Sequence, residues 1–77
     1  MKKRIRKSEM PQEIMALGAR IQLIIKEKKL KQRDVAHDAD LDVENLRKYL
    51  KGKQEMKVST LIKIAKALTV RIEELFE

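Results

Sequence analysis

Two short helical patterns separated by a polar break constrain the fold of this chain more than any other feature of its sequence. They lie between Leu30 and Gly52, in the sequence LKQRDVAHDADLDVENLRKYLKG. The first pattern covers about residues 31–37, the second covers about residues 43–51, and only a few residues join them. Two helices this short bury little surface alone, so they are useful where the second must project steeply from the first. That geometry is the helix-turn-helix, whose second helix fits the major groove of DNA.

Length and composition predict one small helical domain. The 77 residues include no cysteine, so neither a disulfide nor a thiolate metal site braces the fold. Helix-forming residues are abundant, and with two glycines and one proline we expect an all-α domain. The near absence of aromatic residues argues against a base-stacking surface for single-stranded nucleic acid. No apolar run approaches the roughly 20 residues that span a bilayer. No apolar segment follows the basic start, so the start does not have the pattern of a secretory signal. We expect a cytoplasmic protein without a membrane partner.

The positive charge of the chain is concentrated at its beginning. The formal net charge of +7 suits a polyanionic partner. Residues 1–10 hold five basic side chains and one acidic one, whereas residues 11–77 hold fourteen basic and eleven acidic. We interpret residues 1–10 as a flexible basic arm and residues 11–77 as the folded domain. Such an arm is commonly a solvated tail that adds non-specific attraction to DNA, and the alternative is an arm that follows the phosphate backbone or enters a minor groove.

Apolar residues at spacings of three and four predict five helices. We place them at about residues 11–29, 31–37, 43–51, 58–68 and 71–76. The residues predicted to face the core are Ile14, Leu17, Ile21, Ile24, Ile25, Leu30, Val35, Ala36, Leu46, Tyr49 or Leu50, Val58, Leu61, Ile64, Ala65, Leu68, Ile72, Leu75 and Phe76.

Residues with special backbone or capping properties mark the helix ends. Pro11 suits a first helical turn, where its missing N–H costs nothing. Asp42 is a good N-cap for the third helix, because its carboxylate can accept a hydrogen bond from an early backbone N–H. Gly52 readily adopts the left-handed conformation that ends a helix.

The ordered combination of these features resembles one known family. The matching segments are GARIQLIIKEKKL at Gly18–Leu30, Lys31-Gln32 followed by Val35-Ala36, Leu41-Asp42, Leu46, Gly52-Lys53, and VSTLIKIAKALTVRIEELF at Val58–Phe76. Each segment is a weak signal alone. Together, residues 18–76 resemble the lambda repressor/Cro-type (XRE-like) helix-turn-helix DNA-binding family.

The resemblance implies a five-helix lambda repressor-like domain that binds double-stranded DNA sequence-specifically, as a small transcriptional regulator. The third helix, about residues 43–51, would lie in the major groove. Gln32 matches the position that commonly contacts a phosphate. The recognition-helix positions that face base edges are Val43, Glu44, Asn45 and Lys48.

The chemistry of these side chains agrees with such roles. Asn45 can pair with adenine, Glu44 can accept a hydrogen bond from cytosine, and Lys48 can reach guanine. The remaining basic residues are better interpreted as phosphate contacts that set the register. These are Arg47, Lys51, Lys53 and Lys57.

The charge along the helix-turn-helix departs from the family pattern. Residues 34–44 contain five acidic residues and no Lys or Arg, whereas residues 45–57 contain five basic residues and one acidic residue. Asp42 is explained by capping. Glu44 has two interpretations, either favourable placement near the positive end of the helix dipole or cytosine recognition. Asp40 stands where the family often has glycine, and Asp can adopt the left-handed turn at modest cost.

A second departure lies in the first helix. Leu23 and Ile25 occupy positions that are usually charged in the family. They either widen the buried stripe or form a dimer contact. We favour the wider stripe for Ile25 and neither interpretation for Leu23.

Other functions remain as alternatives to a DNA-binding regulator. The acidic segment would suit a basic toxin if the chain is the antitoxin of a toxin–antitoxin pair, or it would belong to a helical protein-interaction module that has lost DNA binding. We expect no enzyme activity, no metal and no cofactor, because His37 is the sole histidine and no glycine-rich loop cradles a phosphate. Since one recognition helix covers little DNA, we expect a homodimer whose recognition helices lie about 34 Å apart.

Overall fold

The computed structural model describes residues 11–77, which form four α-helices followed by a 3₁₀ helix. The elements are α1 (Gln12–Glu27), α2 (Gln32–Asp38), α3 (Val43–Leu50), α4 (Val58–Leu68) and the 3₁₀ helix (Ile72–Phe76). No strand occurs within these residues. The predicted all-α class is therefore confirmed, and the proposed basic arm at residues 1–10 lies outside the described part.

The predicted count of five helices is not confirmed, because the last element is a 3₁₀ helix. The N–H of Glu74 donates to the carbonyl of Arg71 at 3.0 Å, a spacing of three residues. With three residues per turn, Ile72 and Leu75 share a face. Leu75 is fully buried and Ile72 packs against the core. Phe76 is 63% exposed, so its predicted place in the core is wrong: it lies about a third of a turn from Leu75.

One apolar core joins all five elements. α1 packs against α3 and the 3₁₀ helix, while α2 packs against both α3 and α4. The core residues are Leu17, Ile21, Ile24, Ile25, Val35, Ala36, Ala39, Leu46, Leu50, Leu61, Ile64, Ala65, Leu68 and Leu75. Most of the predicted core is thus confirmed, including Ile25, which widens the buried stripe of α1. Leu23 is 45% exposed and does not belong to it.

Two residues that we predicted to face the core lie near helix ends and are exposed instead. Val58 is 67% exposed, because it is the first residue of α4 and the packed face begins one turn later at Leu61. Leu30 is 39% exposed. The helix before it stops at Glu27, two residues short of the prediction, since Lys29 takes a left-handed conformation with φ of 57°.

The connections around α3 have the backbone conformations that the sequence predicts. Asp40 adopts a left-handed conformation with φ of 58°, and the next N–H, of Leu41, donates to the carbonyl of Ala36 at 2.8 Å. Gly52 has a φ of 72°, which ends the segment after α3. These two turns fix where α3 starts and stops relative to α2 and α1.

Candidate nucleic-acid interface

The start of α3 is fixed by a side-chain cap. The Oδ1 atom of Asp42 accepts a hydrogen bond from the N–H of Glu44 at 3.1 Å, which confirms the predicted N-cap. Leu46, Tyr49 and Leu50 are buried on the side of α3 that faces the other helices. The opposite side of α3 is therefore presented to solvent as one continuous polar face.

Four of the predicted contact residues lie on this exposed face of α3. They are Glu44, Asn45, Arg47 and Lys48. At about 100° per residue, Glu44 and Lys48 lie near the centre of the face, one turn apart. Asn45 and Arg47 lie on its opposite flanks. The face thus combines an amide, two cations and one carboxylate within little more than one helical turn.

Arg47 links two other predicted residues, Gln32 of α2 and Glu44 of α3, in one polar chain. Its Nε atom donates to Oε1 of Gln32 at 3.4 Å, and its Nη1 atom lies 3.0 Å from Oε2 of Glu44. The Arg47 and Glu44 side chains are 48% and 69% exposed, so this ion pair lies at the surface. The structure therefore places the first residue of α2 beside the exposed face of α3.

The remaining predicted residues lie at the two ends of α3. Val43 is half-buried and packs against the core, which leaves only part of its side chain for a ligand. Lys51 and Lys53 are exposed beyond the end of α3, where the N–H of Lys53 donates to the carbonyl of Lys48 at 3.0 Å. Lys57 is exposed just before α4. Every predicted cation is thus accessible from solvent.

Three polar residues that the sequence analysis did not select lie beside the predicted set. Lys31 and Arg33 line an open depression of about 520 Å³ together with Gln32 and Arg47. The sequence could have identified Lys31 and Arg33 as site residues, because they are the direct neighbours of Gln32. Gln22 of α1 lines a separate cavity with Gln32 and Arg47. The sequence feature that could have identified Gln22 is a polar residue among the apolar residues in the second half of α1.

Three carboxylates of the acidic segment, residues 34–44, are exposed on α2 and in the turn that follows it. Asp34, Asp38 and Asp40 are all exposed, and among residues 11–77 none of them forms an ion pair. Glu44 is the one acid of this segment that pairs with a cation of the α3 face. The segment therefore divides into a paired residue beside the candidate interface and unpaired carboxylates on α2 and the following turn.

The lone histidine, the acidic groupings and the helix lengths of residues 11–77 bear on other kinds of site. His37 is exposed on α2, as predicted. Within residues 11–77 no three His, Asp or Glu side chains are grouped closely enough to hold a metal ion. None of the helices in the described range is both long and apolar enough to cross a bilayer.

Several solved structures share this fold, among them a controller protein, a gene regulator and a hypothetical transcription factor. The restriction-modification controller protein C.AhdI from Aeromonas hydrophila has a TM-score of 0.83 and 24% identity, over 86% of this chain and 100% of that one. The clp gene regulator ClgR from C. glutamicum has a TM-score of 0.80 and 22% identity, over 84% of each chain. The hypothetical transcription factor NHTF from Neisseria has a TM-score of 0.78 and 23% identity, over 97% of this chain and 90% of that one. At these identities, the likeness establishes the shared fold.

A comparison with models of protein families identifies the family of the chain as well as its fold. Residues 20–77 match the Cro/C1-type helix-turn-helix DNA-binding domain, which is three-quarters of the chain. A comparison with curated protein sequences finds no match. The matched range contains α2, α3 and every residue of the Gln32–Arg47–Glu44 chain. The protein therefore belongs to the Cro/C1-type helix-turn-helix DNA-binding domain family.

Proposed function

We propose that this protein is a transcriptional regulator that binds double-stranded DNA sequence-specifically, with α3 in the major groove. The observation that carries the proposal is the exposed face of α3, which presents the amide of Asn45 and the cations of Lys48 and Arg47 to solvent. An α-helix fits the major groove, and amide and cationic side chains are the groups that most often read base edges there. The net charge of +7 supports binding to a polyanion.

Base contacts and phosphate contacts are assigned to different residues of the interface. Asn45 pairs with adenine and Lys48 with guanine, because both side chains project from the exposed face of α3. Val43 contributes at most an apolar contact, such as one to a thymine methyl group, since it is half-buried.

Phosphate contacts come from the flanks of the interface and set its register on the duplex. We assign them to Gln32, Arg47, Lys51 and Lys53. Their positions support this assignment, because Gln32 and Arg47 are joined at the α2 flank of α3, and both lysines follow its C-terminal end.

We assign Glu44 a positioning role in place of cytosine recognition. Its carboxylate is already bound to Arg47 at 3.0 Å, and a charged side chain near the start of α3 also suits the helix dipole. An unpaired carboxylate beside DNA phosphates would be repelled. Pairing with Arg47 reduces that repulsion and holds the guanidinium at the α2 flank.

The protein acts on DNA as a homodimer in this proposal. A single α3 covers too few base pairs to select one site in a genome, whereas two copies double the contacted sequence. Val58 and Ile62 support a contact between copies, since they are 67% and 41% exposed and lie one turn apart on α4. The expected site has two half-sites about 34 Å apart on the duplex.

Selection of bound duplexes from a random DNA library tests this function. The wild-type protein is expected to select a site with two inverted half-sites, at a spacing of about one helical turn. Asn45→Ala and Lys48→Ala should each relax the preference at a different base pair. Their affinity for the selected site should fall by about 1–3 kcal/mol. If both variants select the wild-type motif with unchanged affinity, the base-reading assignment is wrong.

The exposed carboxylates favour one further candidate, an antitoxin that binds a basic toxin. Asp34, Asp38 and Asp40 are exposed carboxylates that form no ion pair within residues 11–77, so they provide negative charge that a basic partner could neutralise. A toxin gene next to the gene of this chain, and co-purification of its product, would support the antitoxin. If the protein shows no salt-dependent DNA binding, a protein-interaction module becomes the better conclusion, because phosphate contacts always produce a salt dependence.

A further inference from the structure

A small polar cavity lies where α1, α2 and α3 meet. Its volume is about 200 Å³ and its lining residues are Gln22, Gln32, Arg47, Leu50 and Lys51. The polar lining consists of two amides, a guanidinium and an ammonium group. No carboxylate lines it. A cavity with this lining attracts an anion and offers several hydrogen-bond donors to it.

Gln22 is the member of this cavity that the helix-turn-helix does not supply. It lies on α1, is half-buried, and its amide has no hydrogen-bond partner among residues 11–77. Gly18, one turn earlier, brings α1 into close contact with the backbone of α3. A Cβ at Gly18 would lie 2.3 Å from the carbonyl oxygen of Tyr49. The close packing fixes the backbone of α1 relative to α3. The Gln22 side chain lines the cavity, and its amide has free hydrogen-bonding capacity there.

We propose that this cavity binds one phosphate of the DNA backbone and that Gln22 is a phosphate ligand. Arg47 and Lys51 supply the charge, and the amides of Gln22 and Gln32 donate hydrogen bonds to the two non-bridging oxygens. Phosphate diesters are well matched to a guanidinium assisted by neutral donors. The inference rests on the proposed DNA binding and extends the contact surface from the helix-turn-helix to α1.

The salt dependence of DNA binding distinguishes a neutral phosphate-binding residue, such as Gln22, from a cationic one, such as Lys51. Gln22→Ala is expected to weaken binding to the selected duplex about 10- to 150-fold, the effect of losing one hydrogen bond to a charged group. The slope of log affinity against log salt should stay unchanged, because an amide displaces no counterion. Lys51→Gln should reduce the magnitude of that slope by about 0.9.

Gln12 provides a matched control on the same helix. It is exposed at the first position of α1, about 15 Å along the axis from Gln22. Gln12→Ala should leave affinity unchanged. Gln22→Glu retains the shape of the side chain and should weaken binding more than Gln22→Ala, whereas Gln12→Glu should have a much smaller effect. Circular dichroism melting of each variant verifies that its domain is folded.

Methylphosphonate substitution along the selected duplex locates the phosphate. At one position per half-site, the substitution should weaken wild-type binding and should remove most of the difference between wild type and Gln22→Ala. If Gln22→Ala and Gln22→Glu bind as their Gln12 counterparts do, or if the Gln22→Ala effect persists at every substituted position, the phosphate site is wrong. If the wild type itself does not bind DNA, the proposed function fails as well, so the two failures are distinguishable.

Discussion

Gly18 is the residue that lets α1 and α3 approach most closely. A Cβ at this position would lie 2.3 Å from the carbonyl oxygen of Tyr49 and 2.8 Å from that of Leu50. Glycine inside a helix otherwise costs about 1 kcal/mol relative to alanine. The close backbone contact therefore explains a residue that helix propensity alone disfavours.

Gly18→Ala is expected to destabilise the fold despite the better helix propensity of alanine. Overpacking in a close contact costs about 1–3 kcal/mol, and here the neighbouring atoms belong to backbone and cannot move aside. The melting temperature should fall by about 4–8 °C for each net kcal/mol lost. Ala19→Ser adds one atom at the exposed neighbouring position and should change stability by less than about 0.5 kcal/mol. An unchanged or raised melting temperature for Gly18→Ala would show that the helices can separate without cost.

Glu44→Gln tests whether this carboxylate positions Arg47 or reads a base. Stability should change little, because an exposed ion pair contributes about 0.2–1 kcal/mol. If Glu44 holds Arg47, loss of the positioned guanidinium should offset the gain in affinity that removal of a negative charge brings, and the effect should be the same for all duplexes. If Glu44 reads cytosine, the variant should instead bind the selected site more weakly and lose preference at one base pair.

Glu55→Gln is the matched control for that measurement, since it changes the net charge equally. Glu55 is exposed in the loop between α3 and α4 and forms no ion pair within residues 11–77. A positioning role predicts that the gain in affinity is smaller for Glu44→Gln than for Glu55→Gln, because only the first variant also loses the held position of Arg47. Equal gains would mean that only the net charge matters, and the positioning role would be rejected.

At the scale of elements, α3 depends on its first turn, where Asp42 caps the helix. Asp42→Ala should cost about 1 kcal/mol, because the N–H of Glu44 loses its acceptor. Asp42→Asn retains an acceptor and should keep most of that stability. Both variants remove one negative charge, so a difference between them in urea unfolding or in the preference for the selected site reports the cap alone. Identical behaviour would show that α3 forms without it.

Local signals predicted the elements better than they predicted contacts between elements. The apolar spacing of α4 gave its bounds, and Asp42, Asp40 and Gly52 marked turns because capping and positive φ depend on the residue itself. The five-residue 3₁₀ helix was predicted as an α-helix, since spacings of three occur in both types.

The candidate site was predicted only in part for a related reason. The family pattern supplied the face of α3. The hydrogen bond from Arg47 to Gln32 and the cavity with Gln22 join residues that are distant in sequence, and no periodicity encodes such a contact. Leu23 shows the same limit, because only packing decides which side of a wide apolar stripe is covered.

At the scale of the whole molecule, the charge is divided between the arm and the domain. The five basic residues of positions 1–10 lie outside the described range, whereas the proposed base-reading residues all lie on α3. Since counterion release depends on the number of phosphates contacted, the arm should contribute to affinity for any duplex. Since α3 carries the base contacts, the arm should contribute little to the choice of sequence.

Replacing the five basic arm residues by glutamine in the full chain tests this division. The residues are Lys2, Lys3, Arg4, Arg6 and Lys7. The magnitude of the salt slope for an unselected duplex should fall by up to about 4.5, and the selected motif should stay the same. The matched control replaces five exposed lysines of the domain and leaves the same net charge; these are Lys26, Lys28, Lys29, Lys63 and Lys66.

If both variants lose the same affinity, net charge alone attracts the protein to DNA and the arm has no separate role. If the arm variant instead loses preference at base pairs flanking the half-sites, the arm reads the minor groove there, because side chains that touch only phosphates carry no sequence information.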